Sequence, residues 1–136
     1  MKLTELSAIS PIDGRYSKLV PELQEIFSEY ALIKYRIFVE IEWFIHLSNQ
    51  SNIKELPNLT KQSITFLSKI EKNFNLAEAR KVKNIEKKTN HDVKAVEYYL
   101  RDQFMQSKQL KELAEFIHFG CTSEDINNIC YALMVK

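Results

Sequence analysis

The sequence predicts an all-α fold, and three observations lead there. Of its 136 residues only two are glycine and three proline, against average shares of roughly 7% and 5%, so the chain lacks the turn chemistry of a hairpin-rich sandwich or barrel. Its apolar residues recur in steps of three and four rather than in alternation. Two tetrapeptides, Thr89-Asn90-His91-Asp92 and Thr122-Ser123-Glu124-Asp125, set a threonine three residues ahead of an acid, a variant of the capping box that opens helices. With 45% hydrophobic and 27% charged residues the chain is of ordinary globular composition, and its length suits one domain.

Taken in order, Met1 to Tyr16 shows no helical period, and Ser10-Pro11 with Asp13-Gly14 gives a turn signal that presents Arg15-Tyr16. Pro21 through Ser28 is a short amphipathic piece carrying Leu23, Ile26 and Phe27. Glu29 to about Asn49 reads as one long helix. Its apolar residues, from Leu32, Tyr35 and Phe38 to Phe44, Ile45 and Leu47, cover more than one face, which predicts burial among other helices. Pro57 and Thr60 punctuate before Ile64, Leu67, Ile70 and Phe74, whose spacing is helical. A lysine-rich helix from Leu76 to Lys88 places Ala79, Val82 and Ile85 on one stripe and Lys87-Lys88 where the dipole favours cations. The next helix is expected to start at a Thr89 cap with Asp92 as its partner, and to bury Val93, Val96, Leu100 and Phe104. Leu110, Leu113, Ala114 and Ile117 mark a shorter helix that Gly120 would stop. The last helix opens at Thr122 and carries Ile126, Ile129, Cys130 and Leu133 on one face. No Gly, Pro or polar tail closes it before Lys136, so 1–136 is expected to be one domain of a longer protein, cut inside the helix that begins near 122.

Charge and composition exclude several classes of function. With 19 Lys+Arg against 18 Asp+Glu, a net charge of +1 gives no general field for nucleic acid or an anionic membrane surface. The first twenty residues lack a basic and an apolar signal region, and no apolar run approaches the ~18 residues that span a bilayer. A soluble, cytoplasmic protein is expected. Cys121 and Cys130, nine apart, fit neither a disulfide framework nor a Cys-x-x-Cys pair, which suits a reducing compartment. No His, Cys, Asp or Glu spacing suggests zinc or calcium, and no Gly-rich phosphate loop occurs. Arg80-Lys81-Lys83 with Lys87-Lys88 reads as a solvated face, and Trp43 and Tyr98-Tyr99 as packing residues.

Chemistry concentrates at two helix starts, where free backbone N–H groups and a partial positive charge suit an anion. One carries Asn90, His91 and Asp92; the other carries Thr122 and Ser123. Each tetrapeptide alone is most simply a cap. Their company with a histidine and with the exposed Arg15-Tyr16 makes them candidate binding residues, arginine being suited to forked recognition of phosphate or carboxylate. A helix N-terminus disfavours the imidazolium, so His91 is expected as a neutral donor or acceptor. His46 reads as structural on the long helix among apolar neighbours, and His118 as a helix-end residue complementing the dipole.

Three runs carry a resemblance over nearly the whole chain: Ser10-Pro11-Ile12-Asp13-Gly14-Arg15-Tyr16, Thr89 through Tyr98 (Thr-Asn-His-Asp-Val-Lys-Ala-Val-Glu-Tyr), and Glu115 through Asn128 (Glu-Phe-Ile-His-Phe-Gly-Cys-Thr-Ser-Glu-Asp-Ile-Asn-Asn). In sequence, order and spacing they resemble the N-terminal motifs of the bacterial adenylosuccinate lyases, within the aspartase/fumarase superfamily. The resemblance implies the N-terminal helical domain of a homotetrameric, helical-bundle enzyme that splits adenylosuccinate to AMP and fumarate, and succinyl-aminoimidazole carboxamide ribotide likewise, without metal or organic cofactor. It implies that Arg15 and Tyr16 hold the nucleotide phosphate, that Asn90, His91 and Asp92 line the substrate pocket, and that Thr122 and Ser123 bind a succinyl carboxylate. His118 matches a histidine of the family in a supporting role. The family's general acid and base lie in later segments, so that catalytic residues proper are absent here, His91 has at most an assisting part, and the piece alone is expected to be inactive. Another fumarate-releasing lyase of the superfamily, and a non-catalytic helical interaction module whose polar helix starts are only caps, are the competing readings.

Overall fold

A computed structural model describes residues 4–136; residues 1–3, the first of those whose sequence shows no helical period, lie outside the described residues. Those described form seven α-helices, one 3-10 turn and no strand: α1 Pro21–Phe27, α2 Glu29–Ser48, α3 Lys61–Lys72, α4 Leu76–Thr89, α5 Asp92–Phe104, α6 Lys108–Glu112 and α7 Ser123–Met134, with the turn Ala114–Phe116 between the last two.

Helix α2 is the axis of the fold. Ser28 caps it, its hydroxyl oxygen accepting from the Ala31 N–H at 3.1 Å, and at 20 residues it runs for about 30 Å. Helices α1, α3, α4, α5 and α7 all pack against it. Its apolar residues cover several faces because they serve two separate clusters. Ile33, Ile37, Ile41 and Phe44 join Leu67 of α3, Val82 of α4, Val96, Leu100 and Phe104 of α5 and Leu110 of α6 in the main core. Val39 instead meets Val93, Ile126 and Cys130 in a small second cluster that pins α7 to another side of α2. No helix among the described residues is long and apolar enough to cross a membrane.

The start of α5 differs from the sequence expectation. Helix α4 runs through Thr89, and Asn90 ends it in the left-handed conformation at φ 51°, which asparagine tolerates better than most residues. His91, not Thr89, is therefore the N-cap of α5: its Nδ1 accepts the Lys94 N–H at 3.0 Å. Thr89 is left to bridge the joint, its hydroxyl donating to the His91 carbonyl at 3.1 Å. The second capping signal behaves as expected, with the Thr122 and Asp125 side chains and backbones bonded reciprocally.

Two further expectations need correction. Leu110 to Ile117 is not one helix, since α6 ends at Glu112 and the 3-10 turn follows; steps of three fit that tighter spiral as well as an α-helix. Gly120, at φ 72°, consequently closes a turn in which His118 is also left-handed at φ 61°, so His118 caps no α-helix. On α7, Ile126 and Cys130 face inward, whereas Ile129 stays half exposed at the edge of the stripe. His46 lies on the exposed side of α2, stacked on Trp43 at 5.5 Å, not among core residues.

Both cysteines are free thiols. Burial pushes the Cys121 thiol up to about 12 and that of Cys130 up to about 11, leaving little of the reactive thiolate at neutral pH. A disulfide reagent at pH 7 is expected to label both far more slowly in the folded chain than in urea; equal rates would mean that these positions are not packed as described.

Candidate functional site

The short joint between α4 and α5 opens onto a cleft of about 490 Å³, lined by Asn90, His91 and Asp92 together with Glu29, Leu32 and Arg36 of the N-terminal half of α2, Glu86 of α4 and Tyr131 of α7. Its position follows from local geometry. The left-handed Asn90 reverses the chain, and the N-cap conformation of His91 turns it into α5, so that three consecutive polar side chains are held at one mouth.

Arg36 forms the floor. It is 3% exposed, and its guanidinium joins three helices: Nη2 donates to the Asp92 carboxylate at 2.6 Å and Nε donates to the Asn127 Oδ1 of α7 at 2.9 Å. A buried arginine is tolerable only with such partners. Burial raises the Asp92 carboxyl, but the Val93 N–H and the Arg36 charge outweigh it and hold Asp92 below the ordinary carboxylate range. The other two acids of the cleft are also engaged, Lys83 reaching Glu29 at 2.9 Å and Glu86 at 2.7 Å.

The groups left to face a ligand are neutral. Because His91 Nδ1 is occupied by accepting from Lys94, the neutral ring carries its proton on Nε2, which becomes a donor. The Asn90 amide and the Tyr131 hydroxyl make no hydrogen bond to other described residues. The cleft thus offers several donors over a charge-compensated floor, an arrangement for orienting a polar ligand. No group of three His, Cys, Asp or Glu side chains able to hold a metal ion occurs among the described residues.

The remaining candidates lie elsewhere. Thr122 and Ser123 open α7 beside the loop that reaches Glu40 of α2, one turn or about 6 Å along α2 from Arg36. Thr122 is committed to its own cap, its N–H donating to Asp125 Oδ2 at 2.7 Å and its hydroxyl lying 2.9 Å from the same oxygen. Ser123 keeps an unengaged hydroxyl among the described residues. Arg15 and Tyr16 are exposed and touch each other, the guanidinium 4.5 Å from the ring centroid, and they do not line the cleft. Gly14 before them is required by close approach: a Cβ there would lie 2.5 Å from the Glu5 carbonyl oxygen. The sequence reading missed Arg36, Glu40 and Asn127. The signal for the first two was available as two charges one turn apart, each with an apolar residue or a tyrosine on either side in sequence.

Comparison with known proteins places these residues in context. A family model described as lyase matches residues 14–136. All 136 residues align with adenylosuccinate lyase of Legionella pneumophila strain Corby at 57% identity, with that of Buchnera aphidicola subsp. Acyrthosiphon pisum at 52%, and with that of Escherichia coli K12 at 48%. The chain covers 30% of the length of each of these relatives. With the family match running through the joint, the cleft and the head of α7, the chain belongs to the lyase family.

Proposed function

We propose that these 136 residues are the N-terminal, substrate-binding part of an adenylosuccinate lyase, which releases fumarate from adenylosuccinate to leave AMP and acts likewise on succinyl-aminoimidazole carboxamide ribotide. The observation that carries this reading is 57% identity over the entire chain to a protein of that name. The donor-lined cleft agrees with it. In this β-elimination a proton leaves a carbon beside a carboxylate while the nitrogen leaving group is protonated, so fixed donors around the carboxylate where charge builds contribute most. His91 Nε2–H, the Asn90 amide and Ser123 with the free N–H groups of α7 are assigned to orienting the substrate, and Arg15 with Tyr16 to its phosphate. Arg15 would reach that phosphate only in the assembled enzyme, taken here as a cytoplasmic homotetramer acting without metal or organic cofactor.

A chimera tests this. Residues 1–136 are exchanged for the corresponding part of the Legionella pneumophila relative, and fumarate release is followed with both succinyl substrates. The chimera is expected to be active, and the isolated chain to release none, because the family's proton-transfer groups lie in later segments. A chimera that assembles like its parent yet is inactive would sink the reading. Within an active chimera, Arg15→Ala is expected to raise KM by roughly tenfold to a hundredfold, the worth of a hydrogen bond to a charged group. Ser123→Ala should lower kcat more than it raises KM; equal, small effects of the two would mean that their roles are misassigned.

A further inference from the structure

Helix α2 carries two buried charged side chains one turn apart, and the cleft uses only Arg36. The second, Glu40, is 1% exposed. Its Oε1 lies 2.6 Å from His118 Nδ1, and its Oε2, though buried, has no hydrogen-bond partner among the described residues. A carboxylate in such a place is unfavourable beside any apolar residue of similar size. His118 adds a second cost at the same point, because it is a non-glycine residue in the left-handed region. Two independent penalties therefore meet in one contact. The turn that bears His118 is tied down from the other side as well, the Trp43 indole N–H donating to the Phe119 carbonyl at 2.9 Å. On that tethered turn the imidazole directs its Nδ1 at Glu40 of α2.

We propose that Glu40 is a positioning residue: it accepts from His118 Nδ1–H, favours the doubly protonated ring, and so presents a fixed, charged Nε2–H donor at the head of α7. The purpose rests on the lyase reading above, in which the start of α7 receives a substrate carboxylate near Ser123. The surroundings of the ring fit the assignment. Glu40 faces it from α2, Glu97 and Lys94 from α5, Asp125 from the first turn of α7, and Cys121 Sγ lies 3.5 Å from Nδ1. Glu97 is itself paired with Lys94 at 2.6 Å and with Arg101 at 3.3 Å, which leaves Glu40 as the dominant acid facing the ring. The hydrogen bond to Glu40 is the largest influence raising the His118 pKa, ahead of the opposing effect of burial. The stability that the pair contributes is thus fully present below the ordinary imidazole value of about 6.5 and is lost as pH rises through the higher folded value.

The test is an NMR titration of the imidazole Cε1–Hε1 signals of the 136-residue chain, which has three histidines; the His118 signal is identified by its loss in His118→Gln. Its midpoint is expected above the ordinary imidazole value. Glu40→Gln, which keeps the shape and removes the charge, is expected to weaken proton binding at His118 by about tenfold, one pH unit. Glu40→Asp should recover part of that, while His46 and His91 stay where they were. An unmoved His118 midpoint in Glu40→Gln, or equal movement of all three histidines, overturns the proposal. If Glu40→Gln does not fold, the native chain decides: a His118 midpoint at or below the ordinary value overturns it, and one above supports it. An inactive chimera with a Glu40-dependent titration would sink the lyase reading and leave the pair standing; an unmoved midpoint in an active chimera would do the reverse.

Discussion

Asp92→Ala is expected to lower the stability of the chain by about 2 kcal/mol, while Arg36→Met, which removes the other half of the same pair, should cost under about 1 kcal/mol. The asymmetry comes from burial. Arg36 has a side chain 4% exposed and Asp92 one 44% exposed. Removing the acid strands a guanidinium that has only Asn127 left, whereas removing the arginine frees Asp92 to return to water and fills its channel with an apolar stem of similar length. The half-open position of Asp92 is why the expected loss stays below the 3–5 kcal/mol of a fully buried pair. Urea midpoints at pH 7 with unchanged slopes measure both. Arg36→Met proving the more damaging would show that Arg36 acts through packing and not through its charge.

The largest loss is expected from Phe104→Ala, roughly 3–5 kcal/mol. The Phe104 ring is fully buried at the end of α5 and meets Phe44 of α2 edge-on, with centroids 5.0 Å apart. That contact joins the axial helix to the end of α5 from which α6 departs, so the cavity would lie between elements that cannot easily close over it. Phe27→Ala is the control. That side chain is 54% exposed on α1, and its loss is expected to fall within about 0.5 kcal/mol of a neutral surface change. Thermal unfolding of the two variants side by side measures the difference, and comparable losses would contradict the placement of the core.

What could be read from the sequence depended on whether a signal was local. Helices α2, α3 and α5 were visible because a repeating apolar face is local in sequence, and Thr122 because a threonine and an acid three residues later close a ring within one turn. The joint at Thr89 misled for a related reason. The same pattern occurs there, but Asn90 took the left-handed conformation and handed the cap to a histidine ring nitrogen, an acceptor the capping pattern does not count. Leu110 to Ile117 misled because three-residue steps serve either helical spiral. The site residues that went unseen are those whose meaning lies in distant partners. Arg36 matters through Asp92 and Asn127, which are 56 and 91 positions away, and Glu40 through His118, 78 positions away. No window of one helix contains that information. Arg15 and Tyr16 remain apart from the cleft in this chain, so their assigned role depends on the assembled enzyme.

The small second cluster beneath α7 has a consequence for how the site comes and goes. Four buried residues, Val39, Val93, Ile126 and Cys130, hold that helix, together with the Arg36–Asn127 bond. Releasing α7 would open that cluster, with Leu32, Tyr35, Cys121 and Leu133 packed around it, and leave the main core of α2 to α6 closed. Helix α7 is therefore expected to open as its own unit, at a free energy below that of global unfolding. Ser123 and Tyr131 travel with it, while Asn90, His91 and Asp92 stay behind on the closed part. A ligand bridging the two groups would slow amide exchange along α7 much more than along α5, and its apparent affinity would include the work of holding that helix in place.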